Sequence, residues 1–184
     1  MLKITELIGQ ELRWTQPHAL KMEYDLRVRD VTAATLRFRS SFGSFATAAS
    51  GDGTWTFKRI GFWQTRATVR ASGAQADLAV FKNKTWSGGG TLELPDGHKY
   101  PANTNFWSTQ YEFTREPGEL LISYKHVAGV LHMSALVEIP GLSKEIIEMP
   151  WLVSLGWYLT IMLQMDSLSA IRQGEARATG LAGG

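Results

Sequence analysis

The 184-residue chain contains no cysteine, which removes a disulfide framework, a thiol nucleophile, thiolate-ligated zinc or iron–sulfur chemistry and S-palmitoylation together. Proline is sparse, six in all, and no Pro-rich linker divides the chain. Charge of one sign is also lacking, since 19 basic residues face 17 acidic ones, and an excess of +2 predicts no nucleic-acid partner. Met1 to Gln10 has no unbroken apolar core of the secretory kind, so a cytoplasmic protein is expected. Long hydrophobic runs are missing except from Met149 to Met165. That uncharged stretch would be roughly 26 Å long as a helix, short of a ~30 Å bilayer core, and no transmembrane span is expected.

What is present is alternation. Leu20, Met22, Tyr24, Leu26 and Val28 interleave with Lys21, Glu23, Asp25, Arg27 and Arg29, the period of a strand with one buried and one wet face. Similar runs recur from Glu11 to Ile139 and predict about twelve strands. Between them stand Gly51-Asp52-Gly53, Ser72-Gly73, Pro95-Asp96-Gly97 and Glu116-Pro117-Gly118, residues suited to tight hairpins. So many strands need their edges removed, which favours a closed antiparallel barrel.

After Ile139-Pro140-Gly141 the pattern changes. Ser143 to Glu148 is expected as a short helical approach, and Pro150 suits the first turn of a helix over residues 151–171. That helix is apolar on every face, through Trp151, Leu155, Trp157, Leu159, Met162 and Leu163 among others, so it must be buried on every face. A twelve-stranded barrel is too wide for its own side chains to fill. The expected architecture is therefore one domain, 1–173: a mainly β, closed antiparallel barrel enclosing a hydrophobic C-terminal helix, followed by a disordered Ala/Gly-rich tail at 174–184.

The order of elements, the stretch Gly53-Thr54-Trp55-Thr56-Phe57-Lys58-Arg59-Ile60-Gly61, the stretch Gly90-Thr91-Leu92-Glu93-Leu94-Pro95-Asp96-Gly97 followed by Tyr100, and the C-terminal helix together resemble the tubby C-terminal-like superfamily. That group includes tubby domains, LURP-one-related proteins and phospholipid scramblases. The resemblance covers about residues 10–171 and implies a twelve-stranded barrel around a hydrophobic helix, and a role in binding. The palmitoylated cysteines and Pro-rich N-terminal extension of scramblases have no counterpart here, which argues against lipid scrambling.

Catalytic patterns are missing. His18, His98, His126 and His132 form no HExxH or other close ligand spacing, and no serine sits in a G-x-S-x-G elbow. Gly88-Gly89-Gly90 lacks the Lys-Ser/Thr of a phosphate loop and is expected as a turn or bulge. No metal, cofactor or catalytic residue is assigned. Most tryptophans, Trp63, Trp86 and Trp107 included, are expected in the core or at a packed barrel end.

Charge is unevenly spread. Residues 41–90 carry six basic and two acidic residues, whereas 91–150 carry four basic and eight acidic. Lys58 and Arg59 in the basic segment, and Arg37 and Arg39 on one face of a strand before it, are the candidate contacts for anionic lipid head groups. The expected function is a non-enzymatic, monomeric binding or scaffold module contacting an anionic membrane surface or a protein partner, cytoplasmic and peripheral to the membrane. The alternatives are a lipocalin-like barrel that holds or acts on a small apolar ligand, which requires an open lumen, and a tail anchor made from Met149 to Met165.

Overall fold

The computed structural model describes residues 1–61, 65–84, 88–105, 109–127 and 132–181, with side chains up to residue 173. Twelve strands are present among them: β1 (Leu12–Thr15), β2 (Glu23–Val28), β3 (Val31–Phe38), β4 (Phe45–Ser50), β5 (Gly53–Ile60), β6 (Arg66–Ala71), β7 (Ala79–Asn83), β8 (Gly90–Glu93), β9 (Lys99–Thr104), β10 (Gln110–Arg115), β11 (Glu119–Val127) and β12 (Ser134–Glu138). Each pairs antiparallel with its neighbours in sequence, and β1 closes the ring against β12 through Arg13↔Leu136. The alternation read from the sequence is what makes this a barrel, since Tyr24, Leu26 and Val28 point inward while Glu23, Asp25 and Arg27 do not. Leu20 departs from the expected pattern. It is 94% exposed in the connection before β2, because the strand begins only at Glu23.

The lumen is filled by α1 (Met149–Leu181), and every residue from Met149 to Met162 is buried. Trp151, Leu155, Trp157, Leu159 and Met162 are thus barrel filling as expected, whereas Leu163 is half-buried at the rim. Aromatic side chains of helix and wall interlock: Trp157 stacks on Trp14 at 6.2 Å between ring centroids and meets Tyr24 edge-on at 5.8 Å, while Tyr158 stacks on Phe38 at 5.6 Å. At Gly156 the helix lies directly against the wall. A Cβ there would lie 2.4 Å from the ring of Tyr124, whose hydroxyl donates to the carbonyls of Leu152 and Val153 at 3.1 and 2.9 Å.

Two expectations about this segment are corrected. The helical approach is a 3-10 helix at Gly141–Glu145, anchored where Ser143 Oγ donates to the Leu121 carbonyl. The helix does not stop at 171 with disorder from 174: α1 has 33 residues and runs to Leu181. Past the barrel it has no apolar stripe to reveal it, but it contains no proline, and Ala170, Arg172, Gln173, Glu175, Ala176, Arg177 and Ala178 propagate a helix once it is nucleated. No helix of the described residues is long and apolar enough to cross a membrane.

The barrel has two different ends. At one, here the closed end, the 3-10 helix Ile4–Glu6 packs beneath α1 with Ile4 and Leu7 buried. It is tied down by Ile4 N–H donating to Asp52 Oδ2 at 2.6 Å and Gly51 N–H donating to the Leu2 carbonyl at 2.9 Å. At the other, the exit end, α1 leaves the barrel and its residues 166–173 are exposed.

Candidate binding surface at the exit end

The meander fixes which connection lies at which end. Connections at the closed end join β2–β3, β4–β5, β6–β7, β8–β9 and β10–β11, and in sequence each carries an acid: Asp30, Asp52, Asp77, Asp96 and Glu116. Connections at the exit end join β1–β2, β3–β4, β5–β6, β7–β8, β9–β10 and β11–β12, and in sequence none carries an acid. Their described residues contribute Lys21, Arg39 and Lys84, together with Leu20 and Phe42. The expectations for Trp63, Trp86 and Trp107 lie outside the described residues. Phe42 is 92% exposed.

Strand parity sorts the four basic residues singled out from the sequence. Arg37 lies on the outer face of β3, but its guanidinium bonds the Asp25 carboxylate and the Tyr24 carbonyl, so its charge is already met. Arg39 follows β3, is exposed, and places its backbone N–H on the Phe45 carbonyl at 2.9 Å. Phe45 is the register partner of Lys58, which points outward and is exposed. Arg39 and Lys58 therefore stand about two strand spacings apart, roughly 10 Å. Arg59 is on the opposite face of β5. It turns into the barrel mouth and bonds Asp166 of α1 at 2.6 Å.

Two further cations complete the outer patch. Arg66 is exposed opposite Ile60 and Lys82, and Lys84 is exposed just beyond β7. Among the described residues Arg39, Lys58, Arg66 and Lys84 have no ion-pair partner within 4.0 Å, whereas Arg70 is matched by Asp77, and Lys82 and Lys99 by Glu93. Counting the charge of residues 41–90 located the region; only the in-out alternation of each strand separates Lys58 from Arg59.

Beside α1, a cavity of about 580 Å³ opens at the same end. Its walls include Ala67, Leu159, Met162 and Leu163, and its rim Arg59, Lys84 and Asp166. Tyr111 also lines it. That side chain is 2% exposed and its hydroxyl has no hydrogen-bond partner among the described residues. Burial raises the Tyr111 pKa far above the phenolic value, so the hydroxyl stays a neutral donor.

The histidines do not gather. His126 faces the lumen, 5.8 Å from the Trp157 ring and bonded to Gln164 at 2.9 Å, and burial lowers its pKa. His132 bonds the Gln16 carbonyl at 2.9 Å. No cluster of three His, Asp or Glu side chains able to hold a metal occurs among the described residues. Comparison with protein-family models, curated proteins and solved structures gave no match.

Proposed function

We propose that the protein is a non-enzymatic binding module that docks its exit end on an anionic phospholipid surface. The observation that carries this reading is the polarity of the barrel: acid-free connections with exposed Phe42 and the cations Arg39, Lys58, Arg66 and Lys84, which have no ion-pair partner among the described residues, at one end, an acid in every hairpin connection at the other. Juxtaposed basic and aromatic side chains suit a head-group layer, where each cation near the surface contributes about 1 kcal/mol and an aromatic ring sits at the interface. The likeness to tubby-like barrels supports the same reading, and a peripheral, cytoplasmic monomer goes with it. A lipocalin-like barrel needs an open lumen, and here α1 occupies it.

Sedimentation with phosphatidylcholine vesicles, with and without phosphoinositide, tests the proposal. The protein is expected to pellet only with the anionic vesicles at low salt. It should be released as ionic strength approaches ~0.15 M, where the screening length is about 8 Å. Lys58→Glu and Arg66→Glu should weaken binding more than Lys144→Glu, whose side chain is exposed at the closed end. Equal binding to neutral vesicles would overturn it.

A further inference from the structure

Two neighbouring connections at the exit end each hold an apolar side chain out in water beside a cation. Leu20, between β1 and β2, is 94% exposed next to Lys21, and Phe42 is 92% exposed in the β3–β4 connection that opens with Arg39. Because β2 and β3 are adjacent, the two connections stand about two strand spacings apart, roughly 10 Å. Both are tied to the barrel. The half-hidden Gln16 donates from Nε2 to the Lys21 carbonyl at 2.9 Å and accepts the Met133 N–H on Oε1 at 3.1 Å. In the other connection the Gly43 N–H donates to the Ser40 carbonyl at 3.3 Å, and the Tyr158 hydroxyl of α1 donates to the Ser44 carbonyl at 2.6 Å. Tips on loops fixed in this way lose little conformational entropy when they bind.

These features favour a bilayer over a protein partner. A protein interface needs a contiguous complementary patch of about 800 Å² on each side, and two apolar tips roughly 10 Å apart with cations beside them do not make one. A fluid lipid surface closes around separate protrusions and offers anionic head groups directly above an apolar layer. We propose that Leu20 and Phe42 enter the acyl boundary of an anionic bilayer as a pair of wedges, while Lys21 and Arg39 stay among the head groups, and that the protein thereby prefers curved, loosely packed membrane to flat membrane of the same charge. The inference rests on the anionic-surface reading and deepens it, from contact with head groups to entry beneath them.

Flotation of the full chain with small sonicated and large extruded vesicles of one phosphatidylcholine–phosphoinositide composition, at low salt, tests it. Head-group contact alone follows the charge per area, which the two share, whereas entry follows packing defects, which curvature supplies. Binding to the small vesicles is expected to be tighter by about fivefold or more per accessible lipid. The double substitution Leu20→Ser with Phe42→Ser should remove that difference without lowering the melting temperature, because both side chains are exposed in the free protein. Lys58→Glu should weaken binding to both sizes and leave their ratio unchanged. With a fluorophore on Ala19→Cys, an exposed position next to Leu20, a nitroxide on the lipid acyl chain should quench more strongly than one on the head group.

Equal binding to the two sizes, a ratio unchanged in the double variant, or stronger quenching from the head group would overturn the inference. The same measurements keep it apart from the reading beneath it. Salt-released binding that ignores vesicle size removes the wedges and leaves head-group docking, while a size preference of equal strength on neutral phosphatidylcholine vesicles leaves the wedges and removes the anionic surface. Absence of binding to every vesicle removes both.

Discussion

The two ends of this barrel are closed by different means. At the closed end the chain spends apolar residues on sealing: Ile4, Leu7, Ile146 and Trp151 are all buried around the start of α1, and Asp52 fixes the N-terminal segment through a backbone N–H. At the exit end the helix simply passes out through the barrel mouth, leaving a cavity on one side and an ion pair, Arg59–Asp166, at the rim. Exposed apolar side chains do not by themselves tell the ends apart, since Ile147 is 87% exposed at the closed end, beside Glu148 and near Lys144. The sign of the charge around them does. One end holds the fold together, and the other is the end that the proposed reading turns toward a lipid surface.

If that contrast is right, substitutions at the closed end and in the buried half of α1 act on stability, and those at the exit end act on binding. The largest effect is expected from Leu155→Asp, which puts an unpaired charge at a fully buried helix position and should leave no cooperatively folded protein in a thermal melt. Ile4→Ala comes next, with an expected loss of about 2–4 kcal/mol in urea unfolding as the seal under α1 opens a cavity. Phe42→Ala is its counterpart at the exit end. It should change stability by less than about 0.5 kcal/mol, since the ring is 92% exposed, yet reduce vesicle binding.

Smaller effects separate the ends by pH. Burial depresses the His126 pKa at the exit end, so the unfolded chain takes up a proton first; the stability present above about pH 6.5 is lost as pH falls from there toward the folded pKa. At the closed end, Asp96 bonded at 2.8 Å raises the His98 pKa. Its contribution is present below about pH 6.5 and is lost as pH rises through the raised value, and solvent exposure keeps it small. Unfolding measured against pH should lose its acid-side slope at this position in His126→Gln and change little in His98→Gln. Deleting residues 174–184 should have the smallest effect on melting, because α1 has already left the barrel by residue 166.

The sequence made the barrel and its filling legible for simple physical reasons. Period-two alternation such as Tyr24, Leu26 and Val28 is hard to produce except by a half-buried strand, and the uncharged run from Met149 to Met165 has no soluble explanation but burial. What stayed hidden depended on partners remote in sequence. The N-terminal seal rests on Ile4 meeting Asp52, the exit ion pair joins Arg59 to Asp166, and the cavity brings Tyr111 beside α1, none of which has a local signature. The last turns of α1, residues 172–181, carry no such sign, because helix propensity without amphipathic periodicity leaves no pattern to find. Arg37 and Arg59 were grouped with Arg39 and Lys58 because charge can be counted along a chain, whereas neutralisation by Asp25 and Asp166 cannot.

The absence of cysteine makes the orientation claim directly measurable. Single cysteines introduced by Ser41→Cys at the exit end and Ser72→Cys at the closed end, both at exposed positions, can each carry a polarity-sensitive fluorophore. On adding phosphoinositide-containing vesicles at low salt, the fluorophore at position 41 should shift to the blue and that at position 72 should not. A blue shift at position 72 with none at position 41 would contradict the account, as would no shift at either under conditions where the protein pellets with the vesicles.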